Sequence, residues 1–317
     1  MAPATAFLLN DTSVSGHPGC VTVMSAIRAN LERRGIRVTG SWPVALDWNY
    51  GLYALPGYRH ADVIVVNGEG TIHHTATRRA ARELARSARN AKSRREVPVY
   101  LVNATLEAVA PEDLAELSHF DRIWVRESTS LNTLRDQGFD SAGVVPDLCL
   151  SADFDTVPRR HGTVFTDSVL PGVTAALRQG ATDTNAKFLA MQPPRALSYV
   201  KWAVNHAALS AAAADFYRSL ARASAVITGR FHAVIFCLLA RTPFLAVASN
   251  TSKIEAMLRD ALGDDSRVVK PGGLALAAAV PPYSAVELAR LGTYIAAARQ
   301  QTQAMFDVIA GDLKGAS

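Results

Sequence analysis

The sequence predicts an α/β protein built as two Rossmann-like domains facing a cleft, and three observations predict it. Short apolar runs of strand length alternate with helical-period segments; the alternation breaks at one polar stretch; and it then restarts. A chain of 317 residues, 49% of them hydrophobic, can bury two cores at roughly 100–200 residues per domain.

Strand-length apolar runs lie at residues 5–9, 37–40, 63–66, 99–102, 122–125 and 143–145, with a helix expected over 21–33 after a loop at 15–20. Residues 151–162 are polar, carry Pro158 and the basic Arg159-Arg160-His161, and have little to bury. They read as a linker, with a boundary at 155 that gives domains 1–155 and 156–317. The second set of runs lies at 163–166, 187–191, 225–228, 243–248 and 267–270. Apolar positions from Val286 to Ile309 predict one or two closing helices over 284–313, which the sequence leaves free to pack on either domain.

Lys and Arg total 33 against 28 Asp and Glu, a net charge of +5. That excess suits acidic small molecules or an anionic membrane surface and is too weak to argue for nucleic acid. Cys20, Cys149 and Cys237 are scattered without CxxC spacing, which predicts neither a disulfide framework nor a cysteine zinc site, and fits a reducing cytoplasm. Residues 1–10 lack the basic lead-in of a signal peptide, and the apolar stretch 233–248 is cut by Arg241 and Pro243, so no membrane span is expected. Residues 78–95 read as a basic amphipathic helix with Ala81, Leu84, Ala85, Ala88 and Ala91 on its apolar stripe. Its arginines form either a solvated face or a peripheral contact with the inner face of an anionic membrane.

Ligands of such folds sit at the C-terminal ends of strands, where helix N-termini present free N–H groups. The sharpest signal there is residues 224–253: a strand, Gly229, then Arg230-Phe231-His232 opening an apolar helix. Arg230 can clamp an anion bidentately and His232 can move a proton near neutral pH. The next strand runs out at Ser249-Asn250, and Lys253 opens the helix after it, offering a second cation. The alternative is an Arg230 paired with a carboxylate and a His232 satisfied in the core.

The segments ITGRFHAVIFCLLARTPFLAVASNTSKIEAML and FDRIWVRESTSLNTLRDQGFDSAGVVPDLCLS resemble, in order, the motifs of the polysaccharide pyruvyl transferase family. The resemblance implies a GT-B-like fold. It also implies transfer of the enolpyruvyl unit of phosphoenolpyruvate to sugar hydroxyls as a cyclic ketal, with no cofactor. It carries donor binding onto Arg126, Arg230 and Lys253, with Ser249 and Asn250 beside them. The residue types suit this chemistry, because phosphoenolpyruvate carries both a carboxylate and a phosphate. Ketal formation needs a proton on the methylene carbon, a role that falls to His232, and no metal is demanded.

Where family members carry a GGG-type turn this chain has Asn67-Gly68-Glu69-Gly70, followed by His73 and His74. Glu69 is a candidate general base; Asn67, His73, His74 and His17 are candidate acceptor contacts, with turn or capping roles as the alternative. Adjacent histidines do not share a helix face, and no metal pair is expected of them. The partners implied are phosphoenolpyruvate and a surface glycan or its lipid-linked precursor. A nucleotide-sugar glycosyltransferase and a non-catalytic carbohydrate-binding module stay open as alternatives, the convergent cations favouring an enzyme.

Overall fold

A computed structural model of the chain describes residues 3–44, 46–47, 51–155, 160–192, 206–271 and 280–315. Two parallel sheets form. The first holds β1 (Thr5–Asp11), β2 (Arg37–Pro43), β3 (Val63–Glu69), β4 (Val99–Ala104), β5 (Arg122–Val125) and β6 (Gly143–Val144) in the order β2-β1-β3-β4-β5-β6. The second holds β7 (Thr163–Ser168), β8 (Lys187–Leu189), β9 (Ala225–Gly229), β10 (Phe244–Val247) and β11 (Val268–Val269) in the order β11-β10-β9-β7-β8. Every pairing is parallel. Parallel strands covered on both faces read as unbroken apolar runs, which is how Phe7-Leu8-Leu9 and Val63-Ile64-Val65-Val66 come to be fully buried.

The two sheets share one topology. In each, the second strand lies outside the first and the third lies inside it, so the direction of winding reverses between β1 and β3 and between β7 and β9. Ligands of doubly wound folds bind outside the strand ends at such reversals.

The described chain divides into two compact units. The first is Met1–Thr12, Met24–Leu148 and Ala298–Ser317; the second is Ser13–Val23 and Cys149–Ala297. Phe7, Leu9, Ile64, Val66, Leu101, Leu117 and Leu134 belong to the first core, and Phe165, Leu177, Ile227 and Val247 to the second. The closing segment is a single helix over Ala285–Gly315. Its later part is held in the first unit, where Asp307 pairs with Arg34 at 2.9 Å and Asp312 accepts from the Tyr100 hydroxyl at 2.8 Å. In the second unit Glu287 pairs with Arg267 at 2.7 Å.

Two local expectations change. The stretch before the first helix is not a loop throughout: a 3-10 turn covers Thr12–Ser15 and α1 begins at Pro18, running to Arg33, so Gly19 and Cys20 are helical. The basic segment 78–95 is not one helix. It breaks into α3 (Arg79–Ala85) and α4 (Ser87–Lys92), taking α2 as Pro56–Arg59, although its predicted stripe is buried as expected. Its cations are spent locally: Arg86 on Asp113, Arg89 on Glu116, Lys92 on Asp121, and Arg95 on main-chain carbonyls of Tyr58, Arg59 and Ala61. The linker positions Pro158 and Arg159 lie outside the described residues. Among the described residues no helix is long and apolar enough to cross a membrane.

Candidate active site

The second unit places its chemistry at the reversal between β7 and β9. β9 ends at Gly229, Arg230 is the N-cap residue of the helix Phe231–Ala240, and His232 lies in that helix's first turn. The helix is buried from Phe231 to Leu238, so its start is fixed by packing on all sides. Gly229 is required by packing against β7. A Cβ there would lie 2.4 Å from the Cβ of Ser168, so the glycine lets β9 pass β7.

Arg230 is ion-paired across the reversal with Asp167, whose other oxygen accepts the Met191 N–H at 2.8 Å. The carboxylate alternative raised for Arg230 is thus realised, by a residue 63 positions away near the end of β7. Asp167 fixes the guanidinium without using it up: the Nε of Arg230 is buried with no acceptor among the described residues. A buried orphan donor on a permanent cation favours an anionic ligand. On the neighbouring strand end Ser249 is half-buried and donates to the exposed Asn250 at 3.1 Å, and half-buried Lys253 opens the helix Lys253–Leu262.

His17 belongs to this group. Its ring centroid is 5.3 Å from that of His232, and both residues are buried. Burial, then the charges of His232, Arg230 and Lys253, hold the His17 imidazole well below its ordinary pKa. Arg230 and Lys253 thus both act on one buried point within this unit, whereas Arg126, the third cation of the expected set, lies in the first unit. Gly19 makes the packing possible: a Cβ at Gly19 would stand 2.1 Å from the Cγ of His232.

The His17 shift fixes the sign of a pH effect. Below about pH 6.5, the ordinary imidazole value, the unfolded chain takes up a proton that the folded chain refuses. Stability contributed by neutral His17 is therefore complete above that pH and lost as pH falls toward the depressed folded value. The urea midpoint is expected to drop between about pH 7.5 and about pH 5.5, and to drop less in a His17→Gln variant. Equal slopes in the two proteins would show that His17 is not held neutral.

The first unit carries a second polar set at the reversal between β1 and β3. Asn10, Glu69 and Asn103 lie in the last two positions of the adjacent strands β1, β3 and β4, and all three hold left-handed backbone, with φ of 60°, 39° and 59°. Asn takes this conformation readily, whereas at Glu69 it is uncommon. The Asn10 amide donates to the Asn67 carbonyl at 2.6 Å and to Thr71 Oγ1 at 3.1 Å. Asn67 donates to Thr12 Oγ1 at 3.1 Å and reaches Glu69 Oε2 at 3.4 Å. Asn103, which sequence reasoning missed, accepts the Leu148 N–H at 3.1 Å and keeps a buried amide nitrogen without an acceptor among the described residues. Its signal was faint, a lone amide closing an apolar run. His73 is buried and His74 exposed, their Nδ1 atoms 2.8 Å apart, so one ring donates to the other.

Arg126, also in the first unit, follows β5 and is 2% exposed. Its Nε donates to Thr105 Oγ1 at 2.7 Å and its Nη1 meets Asp147 at 2.9 Å, with Glu127 at 3.6 Å. The arginine and the Pro-Asp of the second motif thus form a buried ion pair. Burying one without the other would cost several kcal/mol, about 3–5.

A family model described as polysaccharide pyruvyl transferase matches residues 21–251, a span that includes Glu69, Arg126, Arg230 and His232 but neither His17 nor Lys253. No curated protein matches the chain in sequence. A functionally uncharacterised protein from Klebsiella pneumoniae superposes with a TM-score of 0.55 at 11% identity, over 84% of this chain and 92% of that one. A UDP-GlcNAc 2-epimerase from Methanocaldococcus jannaschii gives a TM-score of 0.49 at 11% identity, over 92% and 99% of the two chains. Likeness at this identity concerns the α/β fold alone.

Proposed function

This chain belongs to the polysaccharide pyruvyl transferase family, and from that premise we propose that it moves a pyruvyl group from phosphoenolpyruvate onto a sugar of a surface polysaccharide or its lipid-linked precursor. The observation that carries the donor assignment is the orphan Nε of Arg230, beside His232 and Lys253 at the strand reversal of the second unit. Arg230 and Lys253 take the two anionic groups of the donor, with Ser249 and Asn250 at the rim. His232 delivers a proton to the methylene carbon. The positive charge that develops at the adjacent carbon is taken by a sugar hydroxyl oxygen, which releases its proton. Phosphate then departs with the bonding pair, and a second hydroxyl closes the ketal, releasing the second proton.

The first unit is the acceptor side in this reading. Glu69 receives a hydroxyl proton, and Asn67, His73 and His74 contribute hydrogen bonds to the sugar. Arg126 is assigned a different part from the one the resemblance implied: its guanidinium is committed to Asp147 and Thr105, so it holds the site's frame and does not bind donor directly. The reaction draws on a donor of the cytoplasm, and we place it there. The local pairing of the arginines in α3 and α4 leaves little charge for an anionic membrane, so any contact with its inner face runs through the acceptor.

The test is ligand-dependent melting. Phosphoenolpyruvate at 100 times its Kd is expected to stabilise the protein by about 2.7 kcal/mol, with no effect from UDP or UDP-sugars. Arg230→Lys keeps the charge and loses the planar fork, and is expected to weaken phosphoenolpyruvate roughly tenfold to a hundredfold. Stabilisation by the nucleotides alone would give the protein to glycosyl transfer instead.

A further inference from the structure

His17 and Cys20 stand three residues apart at the start of α1, where the Val21 N–H donates to the His17 carbonyl at 3.0 Å. His17 immediately precedes α1 and Cys20 lies in its first turn. His232 comes to the same place from the start of the helix Phe231–Ala240. One ligand atom from each of His17, Cys20 and His232 lies within 4.8 Å of the other two. A tetrahedral zinc with Zn–N of about 2.0–2.1 Å and Zn–S of about 2.3 Å sets its ligand atoms about 3.3–3.7 Å apart, a small closure from this arrangement.

A second observation points the same way. His17 is 8% exposed and its Nδ1 has no hydrogen-bond partner among the described residues. An imidazole nitrogen buried next to a thiol and a second imidazole is a ligand set for a borderline-soft ion, not for calcium or magnesium. Cys20 is also the thiol suited to the task. Cys149 and Cys237 are buried; burial pushes the Cys237 thiol up, and Cys149 donates to the Gly19 carbonyl at 3.3 Å. Cys20 is half-buried, in the first turn of α1 beside the two imidazoles.

We infer that His17, Cys20 and His232 bind a divalent ion of the zinc class, and that the ion, by occupying the His232 imidazole, switches the protein off. No local motif announces the set, since it takes one cysteine and two histidines from two helix starts far apart in sequence. Arg230 and Lys253 oppose a cation, so binding is reversible rather than structural, which suits inhibition. The inhibitory half rests on the proton-donor role proposed for His232; the binding half does not.

Cobalt is the probe, added to the full-length, metal-stripped protein. The expected result is one equivalent of Co2+ bound with a thiolate charge-transfer band and tetrahedral visible bands, displaced by Zn2+. The charge-transfer band disappears in Cys20→Ser and Cys20→Ala and persists in Cys237→Ser, with circular dichroism confirming that each variant is folded. Absence of the band in the wild type, or its survival in folded Cys20→Ala, overturns the site. In the second arm, Zn2+ is expected to inhibit pyruvyl transfer by the wild type, a chelator to restore it, and Cys20→Ala to keep its basal rate while becoming at least tenfold less sensitive to zinc. Cobalt bound through Cys20 with an unchanged rate overturns the inhibitory half. A protein that binds cobalt through Cys20 but shows no pyruvyl transfer sinks the proposed reaction, and the inhibitory half with it, while supporting the site.

Discussion

Replacing His232 with alanine is expected to lower pyruvyl transfer by about 10²–10⁴-fold while shifting phosphoenolpyruvate affinity by no more than a few-fold. The difficult step is protonation of a carbon, and the group that supplies the proton must carry it near neutral pH. Arg230 holds a permanent charge, and its fork is fixed by Asp167. His17 sits where burial and three positive neighbours oppose a proton. His232 is the imidazole left for the task, held in the first turn of a helix buried on every side. Donor binding, by contrast, is proposed to rest on Arg230 and Lys253, which the substitution leaves in place. Single-turnover transfer and ligand-dependent melting read the two effects separately. His232→Gln, which keeps a polar side chain without a titratable nitrogen, is expected to be as slow as His232→Ala. A rate within tenfold of the wild type in both variants would take the acid role away from His232.

Sequence reasoning reached the parts of the molecule that local patterns encode. The strand runs were visible because parallel strands, covered on both faces, are apolar without interruption: Val63 to Val66 and Val99 to Val102 announce themselves. The Arg-x-His at a helix start was visible because a strand, a glycine and an apolar helix bracket it. What pairing supplies was not visible. Asp167 meets Arg230 from 63 residues away, and Asp147 meets Arg126 from 21 away, so nothing near either arginine in sequence names its partner. The stretch Ser13–Val23 joins the second unit only through tertiary contacts, which a linear reading assigns to its neighbours. The break at Arg86 left no trace either. Both short helices bury the same stripe, so the helical period runs straight through the interruption.

Gly19→Ala is the substitution for which local propensity and packing predict opposite signs. In an isolated helix the change would stabilise by about 0.5–1 kcal/mol. Here the new Cβ would stand 2.1 Å from His232 Cγ and 2.3 Å from His232 Cβ, and the latter is fixed by the backbone, so no rotamer change relieves the overlap. Either the imidazole or the start of its helix must move. Overpacking of this kind costs about 1–3 kcal/mol, and displacing the proton donor by about 1 Å costs roughly a further hundredfold in rate. The expected result is a lower urea midpoint together with near-complete loss of transfer, from a residue that touches no substrate. A paired variant separates the steric cause from any other. His232→Ala removes the overlap with Cγ but keeps a Cβ at 2.3 Å, so Gly19→Ala remains destabilising beside it; His232→Gly clears both, and Gly19→Ala should then regain the ordinary helix preference of alanine. If Gly19→Ala is equally destabilising in the His232→Gly background, the close packing of the two helix starts is not what that glycine is for.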